Sequence, residues 1–132
     1  MGKEAGSNLD LFEAMKFTAL LQKGITENPT KIPAYEVLKM ATINGAKALG
    51  LENQIGSIEQ GKQADIIIIG LEEIIQNPVN DLFSELVYNV KGSNVDTTII
   101  GGKILMQDRK TEKNNEKTIY EECNRSICRI QN

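Results

Sequence analysis

The side chains that could do acid–base or nucleophilic chemistry are few and poorly spaced. The 132 residues include no histidine. Histidine is the commonest general base and a frequent metal ligand, so its absence removes whole classes of mechanism. A Ser-His-Asp or Cys-His site cannot be assembled from this chain alone. Acid pairs such as Glu72-Glu73 and Glu121-Glu122 are adjacent in sequence, are expected to diverge in space and read as solvated charge. Cys123 and Cys128 fall in a segment with helical spacing. Five residues turn a helix by about 500°, which points the two thiols roughly 140° apart. They are poorly placed to bond one another or a metal, and ordinary thiols in a reducing compartment are expected. "GLEEIIQNP" and "IGGK" lack the Gly-x-x-x-x-Gly-Lys-Ser/Thr arrangement of a phosphate loop. Asn124-Arg125-Ser126 fits a glycosylation sequon, but Met1-Gly2-Lys3-Glu4 starts no signal peptide, so the match reads as chance.

The totals narrow the class further. Fifteen Lys and Arg against eighteen Asp and Glu give a net charge of −3, with no electrostatic footprint for nucleic acid or an anionic membrane. The longest apolar run is far too short to cross a bilayer. The length suits one domain with a real core. A soluble, cytoplasmic protein is expected.

Any chemistry therefore depends on how the elements are placed. Leu9, Phe12, Met15, Ala19 and Leu20 recur at helical spacing, predicting an amphipathic helix over Leu9 to Lys23, capped by Ser7 or Asn8 and stopped at Gly24. Asp10 suits the positive end of its dipole. A second helix is expected from Pro33 to Leu49, with Val37, Leu38, Ala41, Ala48 and Leu49 on one face and Gly50 ending it. Gly45 lies inside that helix, where glycine costs about 1 kcal/mol relative to alanine. Close approach of another backbone would offset that cost; a tolerated weakness is the other reading. In "NQIGSIEQGKQADIIIIG", Gly56 to Glu59 reads as a short strand, Gln60-Gly61-Lys62 as a turn, and Ile66 to Ile69 as a strand buried on both faces. Asp81 to Tyr88 suggests a helix or an irregular stretch. Val95 to Ile100 and Lys103 to Gln107 form a hairpin across Gly101-Gly102, and Glu116 to Ile130 reads as a last amphipathic helix. "TEKNNEK" is a polar linker. The order is αα, then β-rich, then α.

Two stretches carry a specific likeness. "LKMATINGAKALGLENQIGSIEQGKQADIIII" resembles the segment joining barrel to sandwich in the amidohydrolase superfamily, and "VDTTIIGGKILMQDRK" resembles the later hairpin of the same sandwich. "GSNLDLFEAMKFTALLQK" and "IPAYEVLKMATINGAKALG" resemble the aminohydrolase branch that deaminates S-adenosylhomocysteine, methylthioadenosine and guanine and includes the triazine chlorohydrolases. The likeness implies an α+β chain: the last two helices of a (β/α)8 barrel in residues 1–52, a portion of a composite β-sandwich in 53–110, and a terminal helix in 111–132. It implies that Gly56 and Gly61 bend a short strand back toward the sheet and that Ile66 to Ile69 is a central sandwich strand. Asp65 would tie down a nearby turn or backbone amide; a solvated charge is the alternative.

Family members hold zinc or iron with four histidines and an aspartate, and the ion generates the hydroxide that attacks the ring carbon. A (β/α)8 barrel alone needs about 250 residues. The resemblance therefore implies the C-terminal part of a metal-dependent hydrolase acting on C–N or C–Cl bonds of purine- or triazine-like rings. The metal would be held in the parent and not by this chain, which is expected to be inert alone. Ser7 and Asn8 match positions near the site and are the substrate-proximal candidates, although helix capping explains both equally well. The expected partner is the N-terminal part of the parent. A competing reading is a non-catalytic structural or oligomerisation module, in which unpaired strand edges pair two copies.

Overall fold

A computed structural model describes residues 9–71, 81–111, 120, 121 and 125. Asp10 starts the first helix, α1 (Leu11–Thr26). Its carboxylate accepts hydrogen bonds from the Phe12 amide at 2.9 Å and the Glu13 amide at 3.4 Å, two of the donors that a helix leaves unpaired at its start. The cap is therefore Asp10 instead of Ser7 or Asn8, and the helix begins two residues later than its apolar pattern suggests; Ser7 and Asn8 lie outside the described residues. Gly24 does not stop it. The helix continues to Thr26, and Glu27 closes it in the left-handed conformation at φ 49°.

Pro33 stands before α2 (Ala34–Ala41), which ends at Thr42; α3 (Ile43–Ala48) follows at once. One continuous helix was the expectation, and Thr42 divides it. Its backbone leaves the helical region at φ −117° and ψ −102°, while its hydroxyl donates to the Leu38 carbonyl at 2.8 Å. Bonding back by four residues is a habit of threonine that bends helices. The break rotates the expected apolar face apart: Val37 is buried, whereas Leu49 is 71% exposed. It also answers for Gly45, where a Cβ would lie 3.4 Å from the Met40 carbonyl of the preceding helix. Gly50 ends α3, with the Leu51 amide reaching the Ala46 carbonyl at 2.9 Å and the Gly50 amide reaching Lys47 at 3.0 Å.

Asp81 caps α4 (Leu82–Tyr88) through the Phe83 and Ser84 amides. Met15 and Ala19 of α1, Ala34 and Val37 of α2 and Val87 of α4 form the core, with Phe12, Ile32, Leu38, Ala41 and Tyr88 packed against it. Lys23 donates to the Tyr88 hydroxyl at the edge of this cluster.

The sheet runs β1 (Ile66–Ile69), β2 (Val95–Ile100), β3 (Lys103–Gln107) and β4 (Lys110–Thr111) in that spatial order, all antiparallel. Ile66 faces Ile99 and Ile67 faces Thr98, with an irregularity after Ile68. Among the described residues β1 is an outer strand, not a central one, and Ile67 and Ile68 are about half exposed. A run of β-branched residues marks a strand but does not say how many neighbours it has. Gly101 and Gly102 turn the hairpin at φ 55° and 76°, the left-handed pair a two-residue turn requires. Asp108 and Arg109 repeat that geometry before β4, which the sequence pattern did not suggest.

Gly56 to Glu59 bends without pairing, so the expected short strand is absent. Gly56 is pressed onto α3 instead. A Cβ there would meet the Ala46 Cβ at 2.7 Å and the Ile43 Cα at 3.0 Å, and φ is +92°. The turn at Gln60-Gly61 is present, closed by the Lys62 amide on the Glu59 carbonyl at 3.2 Å. Tyr120, Glu121 and Arg125 are helical, and the remainder of the expected terminal helix, with Cys123 and Cys128, lies outside the described residues.

Candidate functional site

The turn from α2 into α3 and the strand β1 enclose an open apolar groove of about 680 Å³. Leu11, Met40, Leu49, Ile55, Ile58 and Ile67 supply much of its wall, with Gly45 and Gly56 at its floor. Thr42, at the junction of α2 and α3, and Gly56, which abuts α3, are both among its lining residues.

Two of the polar side chains that line it, Ser57 and Asp65, are already hydrogen-bonded. Lys62 donates to the Ser57 hydroxyl at 2.6 Å and to the Glu59 carboxylate at 3.2 Å, and Ser57 donates to the same carboxylate oxygen at 2.5 Å. These bonds hold the Glu59 carboxyl below its ordinary value, the Ser57 hydroxyl contributing most and the Lys62 ammonium next. A carboxyl held below its ordinary value is a weak base and gives the Ser57 hydroxyl little activation. Asp65 accepts from the Gly101 amide at 2.7 Å, and the Gly102 amide reaches the Ala64 carbonyl at 3.1 Å. Asp65 thus ties β1 to the turn of the β2–β3 hairpin, as expected of a backbone tether.

A second cluster sits where α1 begins. One Asp10 oxygen takes the amides of its own helix, and the other accepts from the Gly92 amide at 2.8 Å. Gly92 opens a short 3-10 turn, Gly92–Asn94, that leads into β2. The dipole argument placed Asp10 near this end, but nothing in its neighbourhood announced a partner 82 positions away. Of the other acids, Glu72 and Glu73 lie outside the described residues, as do Ser7, Asn8 and Glu122.

Among the described residues no group of three or more Asp, Glu, Cys or His side chains gathers. One carboxylate oxygen, Glu52 Oε2, is buried without a hydrogen-bond partner, but a lone oxygen is not a donor set. The described residues do not fit a divalent ion. Among them, no helix is long and apolar enough to cross a membrane.

The chain is 48% identical over 125 residues to a 5′-deoxyadenosine deaminase of Methanosarcina mazei, covering 95% of this chain and 28% of that protein. It is 44% identical over 121 residues to a 5-methylthioadenosine/S-adenosylhomocysteine deaminase of Caldanaerobacter subterraneus, covering 92% and 28%. The crystal structure of an adenosine deaminase from Xanthomonas campestris with bound zinc superposes with a TM-score of 0.85 at 30% identity, over 92% of this chain and 28% of that one. The chain thus spans little more than a quarter of the length of these curated relatives. The mixture of helices and a small antiparallel sheet is accordingly a piece of their fold. Residues 2–105 match the model of the amidohydrolase family, and the chain belongs to that family.

Proposed function

We propose that this chain is the C-terminal flank of a metal-dependent aminohydrolase whose substrates are adenosine nucleosides modified at the 5′ position. The observation that carries the reading is the identity of 44–48% over more than nine-tenths of the chain to proteins named for such substrates. Those names share an adenine ring and a 5′ carbon that bears hydrogen or a thioether where adenosine has a hydroxyl. The reaction is hydrolytic: water adds at the ring carbon bearing the amine, and ammonia leaves. The zinc found with the Xanthomonas protein motivates a metal in the parent. Its ligands belong to polypeptide other than the described residues.

In this reading residues 1–52 close the catalytic barrel, 53–110 form part of a composite sandwich and 111–132 its terminal helix. Ser7 and Asn8, separated from Asp10 by Leu9, are the substrate-proximal candidates of this reading. The setting is the cytoplasm. The test is a hybrid in which this chain replaces the matching segment of the Methanosarcina mazei protein. Ammonia release from 5′-deoxyadenosine and methylthioadenosine is expected, with guanine and a chlorotriazine as the alternatives. A folded hybrid that releases neither ammonia nor chloride would refute the proposal.

A second reading has one observation in its favour. The outer edge of β1 leaves backbone groups unpaired among the described residues, a template for another strand. A structural module would use it to pair two copies, so sedimentation of the chain as a dimer at micromolar concentration supports this reading. A sharp monomer at high concentration rejects it.

A further inference from the structure

Among the described residues two helices begin with an aspartate cap, and the caps differ in one respect. Asp81 spends both carboxylate oxygens on its own helix: Oδ1 accepts from the Phe83 amide at 3.1 Å, and Oδ2 from the Ser84 amide at 3.2 Å and the Ser84 hydroxyl at 2.5 Å. Asp10 satisfies the start of α1 with Oδ1 and sends Oδ2 across the fold to the Gly92 amide. The turn it reaches is itself held. The Lys91 amide donates to the Asn94 side chain at 2.9 Å, the Asn94 amide to the Lys91 carbonyl at 2.9 Å, and the Gly70 amide to the Asn94 carbonyl at 2.9 Å. A continuous path of hydrogen bonds therefore joins the first turn of α1 to the end of β1 and the start of β2.

We infer that Asp10 is a positioning residue: through Gly92 it fixes the first turn of α1 relative to the sheet. Resting on the function proposed above, in which α1 helps to close the catalytic barrel, this sets how that helix sits against the sheet portion. Space supports the pairing, since a Cβ on Gly92 would lie 3.3 Å from Asp10 Oδ2, tighter than side chains normally pack. Misplacement of a reacting group by about 1 Å can cost up to about a hundredfold in rate, so a residue far from the chemistry can control it.

The discriminating variant is Asp10→Asn. Asparagine caps helices as well as aspartate, but it offers a single acceptor oxygen and cannot serve the helix amides and Gly92 together. Amide hydrogen exchange in the full 132-residue chain reads the lock itself. In Asp10→Asn the Gly92 amide is expected to lose protection while Phe12 and Glu13 keep theirs. In Asp81→Ala only Phe83 and Ser84 should change. In the hybrid enzyme, Asp10→Asn should lower kcat about tenfold with little change in Tm, whereas Asp81→Ala should lower Tm and leave kcat within about twofold. Gly92 protection unaltered in both Asp10→Asn and Asp10→Ala would overturn the lock. Loss of that protection with kcat unaltered would overturn the positioning role. An inactive hybrid with Asp10 intact would instead count against the proposed function, and the exchange measurement would still decide the lock.

Discussion

The helical part and the sheet meet solvent on different terms. Met15, Val37 and Val87 are at most 3% exposed, so three helices close a core of their own. In the sheet, Ile67, Ile68, Ile104 and Leu105 are all close to half exposed, and Thr97 is the one buried strand residue among those described. Burial of apolar area is the main source of stability, at about 25 cal/mol per Å². The helices therefore hold themselves, whereas the sheet leans on its ladder and on a few joints to its surroundings. Gly56 against α3 and Asp65 against the hairpin turn are two such joints.

Substitution at the first joint should have the largest effect. Gly56→Ala forces a methyl into the Ala46 and Ile43 contacts at a positive φ, with an expected loss of about 3 kcal/mol or more. Urea denaturation measures it; a loss below about 1 kcal/mol would show that the loop can simply lift off α3. Val87→Ala should follow, costing about 2 kcal/mol by emptying part of the helical core. Amide exchange sharpens the contrast, since protection in α1, α2 and α4 should fall before protection in β2 and β3. An equal fall in both would show that helices and sheet unfold as one unit. Asp65→Ala removes a single tether to Gly101 and should cost about 1 kcal/mol, felt in the hairpin and not in the helices.

The smallest effect is that of pH. Glu59 and Asp81 both carry lowered folded-state values, Glu59 through Ser57 and Lys62 and Asp81 through the Ser84 hydroxyl. A folded value below the unfolded one adds stability that is complete above the ordinary 4.5 and 3.8 and fades as pH falls through the lowered values. Both groups are exposed, so the slope is shallow. Asp81→Asn should flatten the acid slope for the helical part, and Glu59→Gln should do so for the loop ahead of β1. Urea midpoints taken from neutral pH down through this range measure both, and unchanged slopes would deny the two bonds any role.

Local chemistry was readable wherever it was decisive. Two adjacent glycines between β-branched runs can do little but turn a hairpin, and Asp65 beside them found the amide expected of it. Gly50 closed its helix for the same reason. Long-range contacts were not readable. Nothing around Thr42 says that a helix will break there, because the break serves the approach of Gly56 from fourteen positions later. Four isoleucines identify a strand, yet their place at the outside of the sheet depends on what pairs with it. The site followed the same rule. Asp10 was visible as a charge suited to a helix start, while its bond to Gly92 has no local signature.

Gly92 has an ordinary backbone conformation, so its φ would accept any amino acid. What crowds a side chain there is the carboxylate opposite, which would have to shift by a few tenths of an ångström. The constraint is thus shared between two distant codons, and each substitution changes the tolerance of the other. A shorter residue at position 10 should make alanine at 92 harmless, while the reverse order of change meets a barrier. Drift at this pair is expected to be history-dependent, easier along one path than along the other.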